Sequence, residues 1–313
     1  MLTPGKIALC LYYRPLGRIR DSLRNGGPIV EWHTAAGRRA MERAAWQLPA
    51  QPVCGSLPLE LHVLTGQRFW YQTAYCLYSF ATQAGRQLRP VIYDDGTLEA
   101  DHCAALLRLF PSASIQSREV IRDRLDYHLP IARFPALRDR WKNYPNIRKL
   151  IDPHLGQSGW KLVIDSDLLF FRSPRFLLDW LAAPDRPLHA VDCMESYGYS
   201  RQRMAALAGA ELPKLVNVGL CGWRSHSLDW AELEYWCAEL IKAEGTNYYL
   251  EQALVAMLAA RVGPCAVAPA VDYVTKPSRE ESHLRHAVMH HYVADSKRWY
   301  FQENWRQVFD PGQ

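Results

Sequence analysis

Two carboxylates, Asp165 and Asp167, stand one residue apart inside the run Leu162-Val163-Ile164-Asp165-Ser166-Asp167-Leu168-Leu169-Phe170-Phe171. So dense an apolar run reads as a strand buried on both faces, as in parallel sheets. Ionised groups ending such a strand need a compensating charge. At i and i+2 of extended chain the two side chains project to one side, where they can share a divalent cation. An Asp-x-Asp is also what a capping turn uses, so the pair by itself leaves a metal site and a turn both open.

Two further segments bear on that choice. Asp94-Asp95-Gly96-Thr97 follows the short apolar run Val91-Ile92-Tyr93. An aspartate there can accept hydrogen bonds from a nucleobase imide or a ribose hydroxyl, and the glycine allows a ligand close approach. Asp-Gly is equally a favoured turn pair. Near the end stands His290-His291-Tyr292-Val293-Ala294-Asp295-Ser296-Lys297-Arg298-Trp299. A neutral imidazole from His291 is a good third ligand for a cation held by two carboxylates. Lys297 offers a flexible point charge suited to phosphate, and Trp299 an anchor for the loop.

The elements that must position these groups alternate. Strands are expected at Leu59–Leu64, Val91–Tyr93, near Ile115 and at Lys161–Ile164, with helices at 70–83, 98–110 and 147–151 between them. That alternation is the signature of a doubly wound parallel α/β sheet with its site at the carboxyl edge. The second half reads as mixed: strands at Leu188–Val191 and Val216–Cys221, helices at 229–242 and 248–260, and short extended pieces at 267–270 and 287–292. Ahead of all this, residues 1–56 form a separate extension, with a strand at Ile7–Tyr13, a turn at Asn25-Gly26-Gly27-Pro28 and a helix over 30–47. Pro49, Pro52 and Pro58 then mark a linker, so 57–313 is expected as one domain.

The 313 residues, 49% hydrophobic and 22% charged, suit a globular protein with a sizeable core. Segment 1–56 holds eight Lys and Arg against three Asp and Glu, which is the whole net charge of +5. Such a basic region can meet an acidic membrane surface or an anionic acceptor, or serve as a solvated face. No nucleic-acid-binding motif is present. No apolar stretch approaches the roughly 20 residues of a membrane span, and no secretory signal opens the chain, so a cytoplasmic location is expected. The eight cysteines are scattered without a C-x-x-C pair and read as reduced thiols rather than a zinc site or a disulfide framework.

Taken together, Asp165-Ser166-Asp167, Asn217-Val218-Gly219, Glu251-Gln252 and the spacing from His291 through Lys297 to Trp299 resemble one family. They resemble the GT-A nucleotide-sugar glycosyltransferases, most closely the family containing glycogenin and bacterial lipopolysaccharide galactosyltransferases. The segment Lys149-Leu150-Ile151-Asp152-Pro153-His154-Leu155 is similar to the family's basic-Leu-x-x-Pro segment. The resemblance covers residues 59–300, and four positions depart from it: Lys149 stands for Arg, Glu251 for Asp, Ala294 for Gly and Arg298 for Pro.

The resemblance implies a GT-A fold with a mixed, mostly parallel central sheet flanked by helices. It implies transfer of a sugar from a nucleotide diphosphate donor, with UDP favoured, to a hydroxyl of a saccharide or glycoconjugate. Asp165, Asp167 and His291 would hold Mn²⁺ or Mg²⁺, and Lys297 would add charge at the diphosphate. Thr65, Asp94 and Asp95 would surround the base, and Asp165 would also reach the ribose. Lys149, Asp192 and Asn217 would meet the donor. Gln252 would lie beneath the anomeric carbon of a retaining enzyme, with Glu251 against acceptor or donor. An inverting enzyme would need a carboxylate base, for which Glu195 and Glu251 are the choices.

Three alternatives stay open at this stage. A nucleotide-sugar hydrolase would use the same donor site. A nucleotidyltransferase would show a Gly-rich triphosphate loop, which Leu61-His62-Val63-Leu64-Thr65-Gly66 lacks. A non-catalytic binding module would have lost metal ligands or Lys297, and all of these are present.

Overall fold

The computed structural model describes residues 26–52 and 58–312. The strand expected at Ile7–Tyr13 lies outside them. An 18-residue helix, α1 (Pro28–Ala45), begins on a proline whose missing N–H costs nothing at that position. There follow β1 (Leu59–Thr65), α2 (Trp70–Ala84), β2 (Leu88–Asp94), α3 (Ala100–Leu109), β3 (Ser114–Gln116) and α4 (Arg118–His128). Next come α5 (Pro135–Asn143), α6 (Arg148–Ile151), β4 (Trp160–Ile164), β5 (Leu168–Phe170), α7 (Arg175–Ala182), β6 (Leu188–Val191) and α8 (Arg201–Ala208). The chain then forms β7 (Val216–Arg224), α9 (Trp230–Glu244), α10 (Leu250–Val262), β8 (Ala266–Val267), β9 (Tyr273–Thr275), α11 (Arg279–Leu284), β10 (Met289–His291) and α12 (Lys297–Gln302).

Among the described residues, seven strands form one sheet in the order β3-β2-β1-β4-β7-β6-β8. The first four are parallel, β7 runs antiparallel between β4 and β6, and β8 is parallel to β6. All six of the co-directional strands therefore end at one edge, and β7 begins there. Strand alternation divides the buried side chains between two faces. Leu61 and Val63 of β1, with Leu162 and Ile164 of β4, join the core that holds α2 and part of α1. Tyr93, Val218 and Cys221 join the opposite core with α9 and α10.

The run through the aspartate pair is not one strand. Both flanks are buried, but β4 belongs to the large sheet and β5 to a second sheet, of order β5-β10-β9. Asp165 and Asp167 occupy the turn between the two. This small sheet pairs β10 antiparallel to β5, with His291 opposite Leu168, and parallel to β9, with His291 opposite Thr275. A segment far downstream in the chain is thus laid beside the aspartates; the bond from Tyr292 N to Asp167 O (3.0 Å) fixes it there.

Helix α1 lies on α12 at close range: a Cβ on Gly37 would come within 2.1 Å of the Phe301 carbonyl oxygen. Gln302 donates to Val30 O and Thr34 Oγ1, Arg38 donates to the Tyr71 hydroxyl, and Met41, Ala44 and Ala45 are buried. The described cysteines, Cys76, Cys103, Cys193, Cys221, Cys237 and Cys265, are free thiols. No helix among the described residues is long and apolar enough to cross a membrane.

Candidate active site

A cavity of about 400 Å³ opens at the carboxyl edge of the large sheet, where β4, β6, β7, α10 and the small sheet meet. Lys149, Asp165, Asp167, Asp192, Asn217, Glu251, Gln252, His291 and Lys297 all line it. The sequence residues from 149 to 297 that the resemblance singled out are brought together by three non-local devices: the β4–β7 pairing, the β5–β10 pairing and the first turn of α10.

Asp165, Asp167 and His291 offer ligand atoms that all lie within 4.8 Å of one another. Which nitrogen of His291 carries the proton follows from its partners. Asn217 Oδ1 accepts from Gly219 N at 2.9 Å, which identifies it as the oxygen, and it faces His291 Nδ1 at 3.2 Å. An oxygen can only accept, so Nδ1 carries a proton toward Asn217, and Nε2 is the nitrogen left to offer a lone pair as a ligand. That Nε2 is buried without a hydrogen-bond partner, 3.3 Å from Asp167 Oδ1 and 3.6 Å from Asp165 Oδ2. Three electron-pair donors facing one another are mutually repulsive unless a cation lies between them, and two carboxylates with a neutral imidazole suit a divalent ion. The donor set fits a metal.

The Asn-x-Gly pattern is explained here as well. A Cβ on Gly219 would sit 2.5 Å from His291 Cε1, so only glycine lets the imidazole lie against β7. The neighbouring histidine alternates to the opposite side, where His290 meets Glu281 (2.9 Å) and the Tyr292 hydroxyl (2.9 Å) in the interior.

Two lysines flank the carboxylates. Lys297 opens α12 and its ammonium is 3.0 Å from Asp167 Oδ2. Burial opposes the charge on Asp167, yet the Lys297 ammonium beside it holds its carboxyl well below the ordinary range. Lys149, on α6, reaches Asp165 Oδ1 at 2.7 Å and Glu251 Oε2 at 3.3 Å. Burial works against its ammonium, but the two acids raise its pKa above that of a free lysine. Burial also pushes Glu251 up to about 8, against the pull of Lys149. Lys149 is therefore the bridge between the aspartate turn and α10. Trp299 anchors the loop as expected, partly buried with the Arg298 guanidinium 4.4 Å above its ring.

Gln252, in the first turn of α10, donates through Nε2 to Asp192 Oδ2 at 2.9 Å, and the other oxygen of Asp192 accepts from Cys193 N at 2.7 Å. Ala294 lines the cavity with φ +49, retaining without a glycine the left-handed backbone that glycine adopts freely.

The residues expected around the base stand at the same edge but outside this cavity. Thr65 is buried, accepting from the Thr73 hydroxyl at 2.8 Å. Asp94 Oδ1 accepts from Gly96 N (2.7 Å), Thr97 N and Leu98 N (3.1 Å each). Asp95 occupies the space a side chain on Gly66 would need and accepts from the Thr97 hydroxyl at 2.5 Å. Glu195 is paired with Arg201 and does not line the cavity.

Several lining residues carried no sequence signal: Tyr144, Met194, Tyr248, Tyr249 and Lys276. Tyr248 and Met194 are well exposed at the mouth, which an apolar residue in isolation does not announce. Arg148 was also missed. Its guanidinium donates to Asp95 O and Asp94 O (2.8 Å each), and its Nε to Asp152, so adjacent residues of α6 tie the two acidic turns together.

This architecture is the GT-A fold. Mouse xyloside xylosyltransferase 1, in its apo form, superposes with a TM-score of 0.53 at 11% identity, over 77% of this chain and 99% of that one. The galactosyltransferase LgtC, in complex with donor and acceptor sugar analogues, gives 0.51 at 13% identity, over 80% and 97%. The bifunctional glycosyltransferase WbbM in its apo form gives 0.50 at 12%, and this chain spans about half of its length, 52%. No protein-family profile and no curated protein matches the sequence.

Proposed function

We propose that this protein is a metal-dependent glycosyltransferase that moves a sugar from a nucleotide diphosphate donor, UDP-sugar by preference, to a hydroxyl of a saccharide or glycoconjugate, with retention at the anomeric carbon. The observation that carries the reading is the orphaned Nε2 of His291, aimed between Asp165 and Asp167 inside a cavity lined by Lys297. The fold shared with LgtC, a structure holding donor and acceptor sugar analogues, supports both substrate classes.

Asp165, Asp167 and His291 would hold Mn²⁺ or Mg²⁺, which when bound neutralises charge on a diphosphate leaving group. Lys297 adds an ammonium on the same side. Lys149 keeps Asp165 and Glu251 in place from beneath. In the transfer, the bond from the anomeric carbon to the diphosphate oxygen breaks and its electron pair leaves on that oxygen. The acceptor oxygen forms the new bond on the same face, and its proton passes to the departing diphosphate. Gln252 lends the electron density of its amide oxygen to the sugar cation from the opposite side, without a bond. A second LgtC structure is of an active-site mutant in which glutamate replaces glutamine, which supports an active-site glutamine in this fold.

Isothermal titration of UDP with and without Mn²⁺, on wild type and Asp167→Ala, tests the reading. Metal-dependent binding that the substitution removes is expected. Binding of no nucleotide, with UDP and GDP both tried, would sink it.

A further inference from the structure

Resting on that proposed function, we infer that Asp192 is a positioning residue: its carboxylate fixes which end of the Gln252 amide faces the sugar. The two ends of a glutamine amide differ only in being donor or acceptor, so a neighbour that can only accept decides between them. Gln252 is buried, and its amide is 2.9 Å from Asp192 Oδ2. An ionised aspartate has no hydrogen to give, so the NH₂ end must be the one turned toward it. The carbonyl oxygen then has no bond to another described residue and is the end left free in a side chain that lines the cavity.

Asp192 is itself held from rotating. Its Oδ1 accepts from the backbone N–H of Cys193 at 2.7 Å, and its own N–H donates to Leu215 O at 2.7 Å. The residue directly follows β6, whose pairing with β7 shifts register between His189 and Ala190. Both oxygens are thus engaged by protein donors, an arrangement suited to aiming another side chain. A hydrogen bond to a charged acceptor also polarises the amide, placing more negative charge on the oxygen that meets a sugar cation.

Asp192→Asn tests this with little change of shape. The asparagine oxygen can keep the Cys193 bond, while its NH₂ now faces Gln252 and favours the flipped amide, NH₂ toward the sugar. The expected result is a fall in kcat of about 10²-fold with the donor KM within about threefold. Pairing it with Gln252→Glu restores a donor-to-acceptor bond of reversed direction and leaves a carboxylate oxygen on the sugar, so the double variant should exceed Asp192→Asn at least tenfold. Should Asp192→Asn not fold, the double variant against Gln252→Glu alone, which sets two carboxylates face to face, carries the test. A side-chain amide NMR signal of Gln252, assigned by its loss in Gln252→Glu, should shift in Asp192→Asn. A rise in donor KM with kcat unchanged, or an amide signal that does not move, overturns the inference. If the wild type binds and turns over no nucleotide sugar, the proposed function falls, and the amide signal still decides the orientation.

Discussion

Asp165 and Asp167 at the end of β4, and Asp94 and Asp95 at the end of β2, are the same residue type at the same edge of one sheet, and the protein uses them differently. The β2 pair is satisfied locally. Asp94 caps three backbone N–H groups of its own turn, and Asp95 bonds the Thr97 hydroxyl two residues on. The β4 pair is answered from a distance by the ammonium groups of Lys149 and Lys297, and it faces the lone-pair side of His291. A local turn needs its carboxylates for shape, whereas carboxylates answered by remote cations and an orphaned imidazole are available to a ligand. The comparison separates locally satisfied aspartates from remotely answered ones by partner and not by residue type.

The sharpest way to break the comparison is Asp167→Asn. Turnover of a nucleotide sugar should fall on the order of 10²–10³-fold and the metal-dependent heat of UDP binding should vanish, with the melting temperature little lowered. Lys149→Met should come next, in stability. It leaves the half-buried Asp165 without its cation, beside a Glu251 that burial already favours in the neutral form, and denaturant unfolding should show a loss of about 1–3 kcal/mol.

Asp94→Ala should have the opposite profile to Asp167→Asn. Removing the acceptor of three turn N–H groups should cost about 1–2 kcal/mol in urea unfolding while leaving the metal-dependent heat unchanged. Loss of UDP binding in this variant would instead place the β2 turn in the nucleotide site.

Lys297→Met sharpens the comparison through pH. A carboxyl held below its ordinary value stabilises the fold fully above that value, 3.8 for Asp167, and the stabilisation is lost as pH falls through the depressed one. The variant should therefore be less stable than wild type by about 1 kcal/mol at pH 7, the lysine being partly exposed, with the gap closing in strong acid. Melting temperatures across pH 2–7 check this. The smallest effect is expected of Ala294→Gly, which relieves a left-handed alanine and should stabilise by under about 1 kcal/mol, visible as a small rise in melting temperature.

The parts of the fold legible in the sequence were those with strong local periodicity or punctuation. The strand over Leu59–Leu64 extends by one residue, and the helix expected over 70–83 runs from Trp70 to Ala84, stopped by Gly85 in the left-handed conformation. Val91–Tyr93 proves longer, because Pro90 lies where β3 has not yet begun to pair and so removes no bond on that side. Helices α4 and α8 escaped notice because each buries only two side chains: Ile121 and Leu125 in one, Met204 and Ala208 in the other. The pieces β8 and β9 are two and three residues long and owe their form to the strands they pair with.

By itself the sequence determined which chemical groups exist and how each sits on its own stretch of backbone: the aspartates at strand ends, the glycine beside Asn217, the acid-amide pair opening α10. Only the tertiary structure decided which of those groups answer one another. It laid His291 against Leu168 by strand pairing, bridged Asp165 to Glu251 through Lys149, and turned Gln252 by Asp192. The physical reason is range. Propensity and periodicity act over a few residues, whereas the hydrogen bonds and charges that orient this site join segments that meet only once the two sheets have formed.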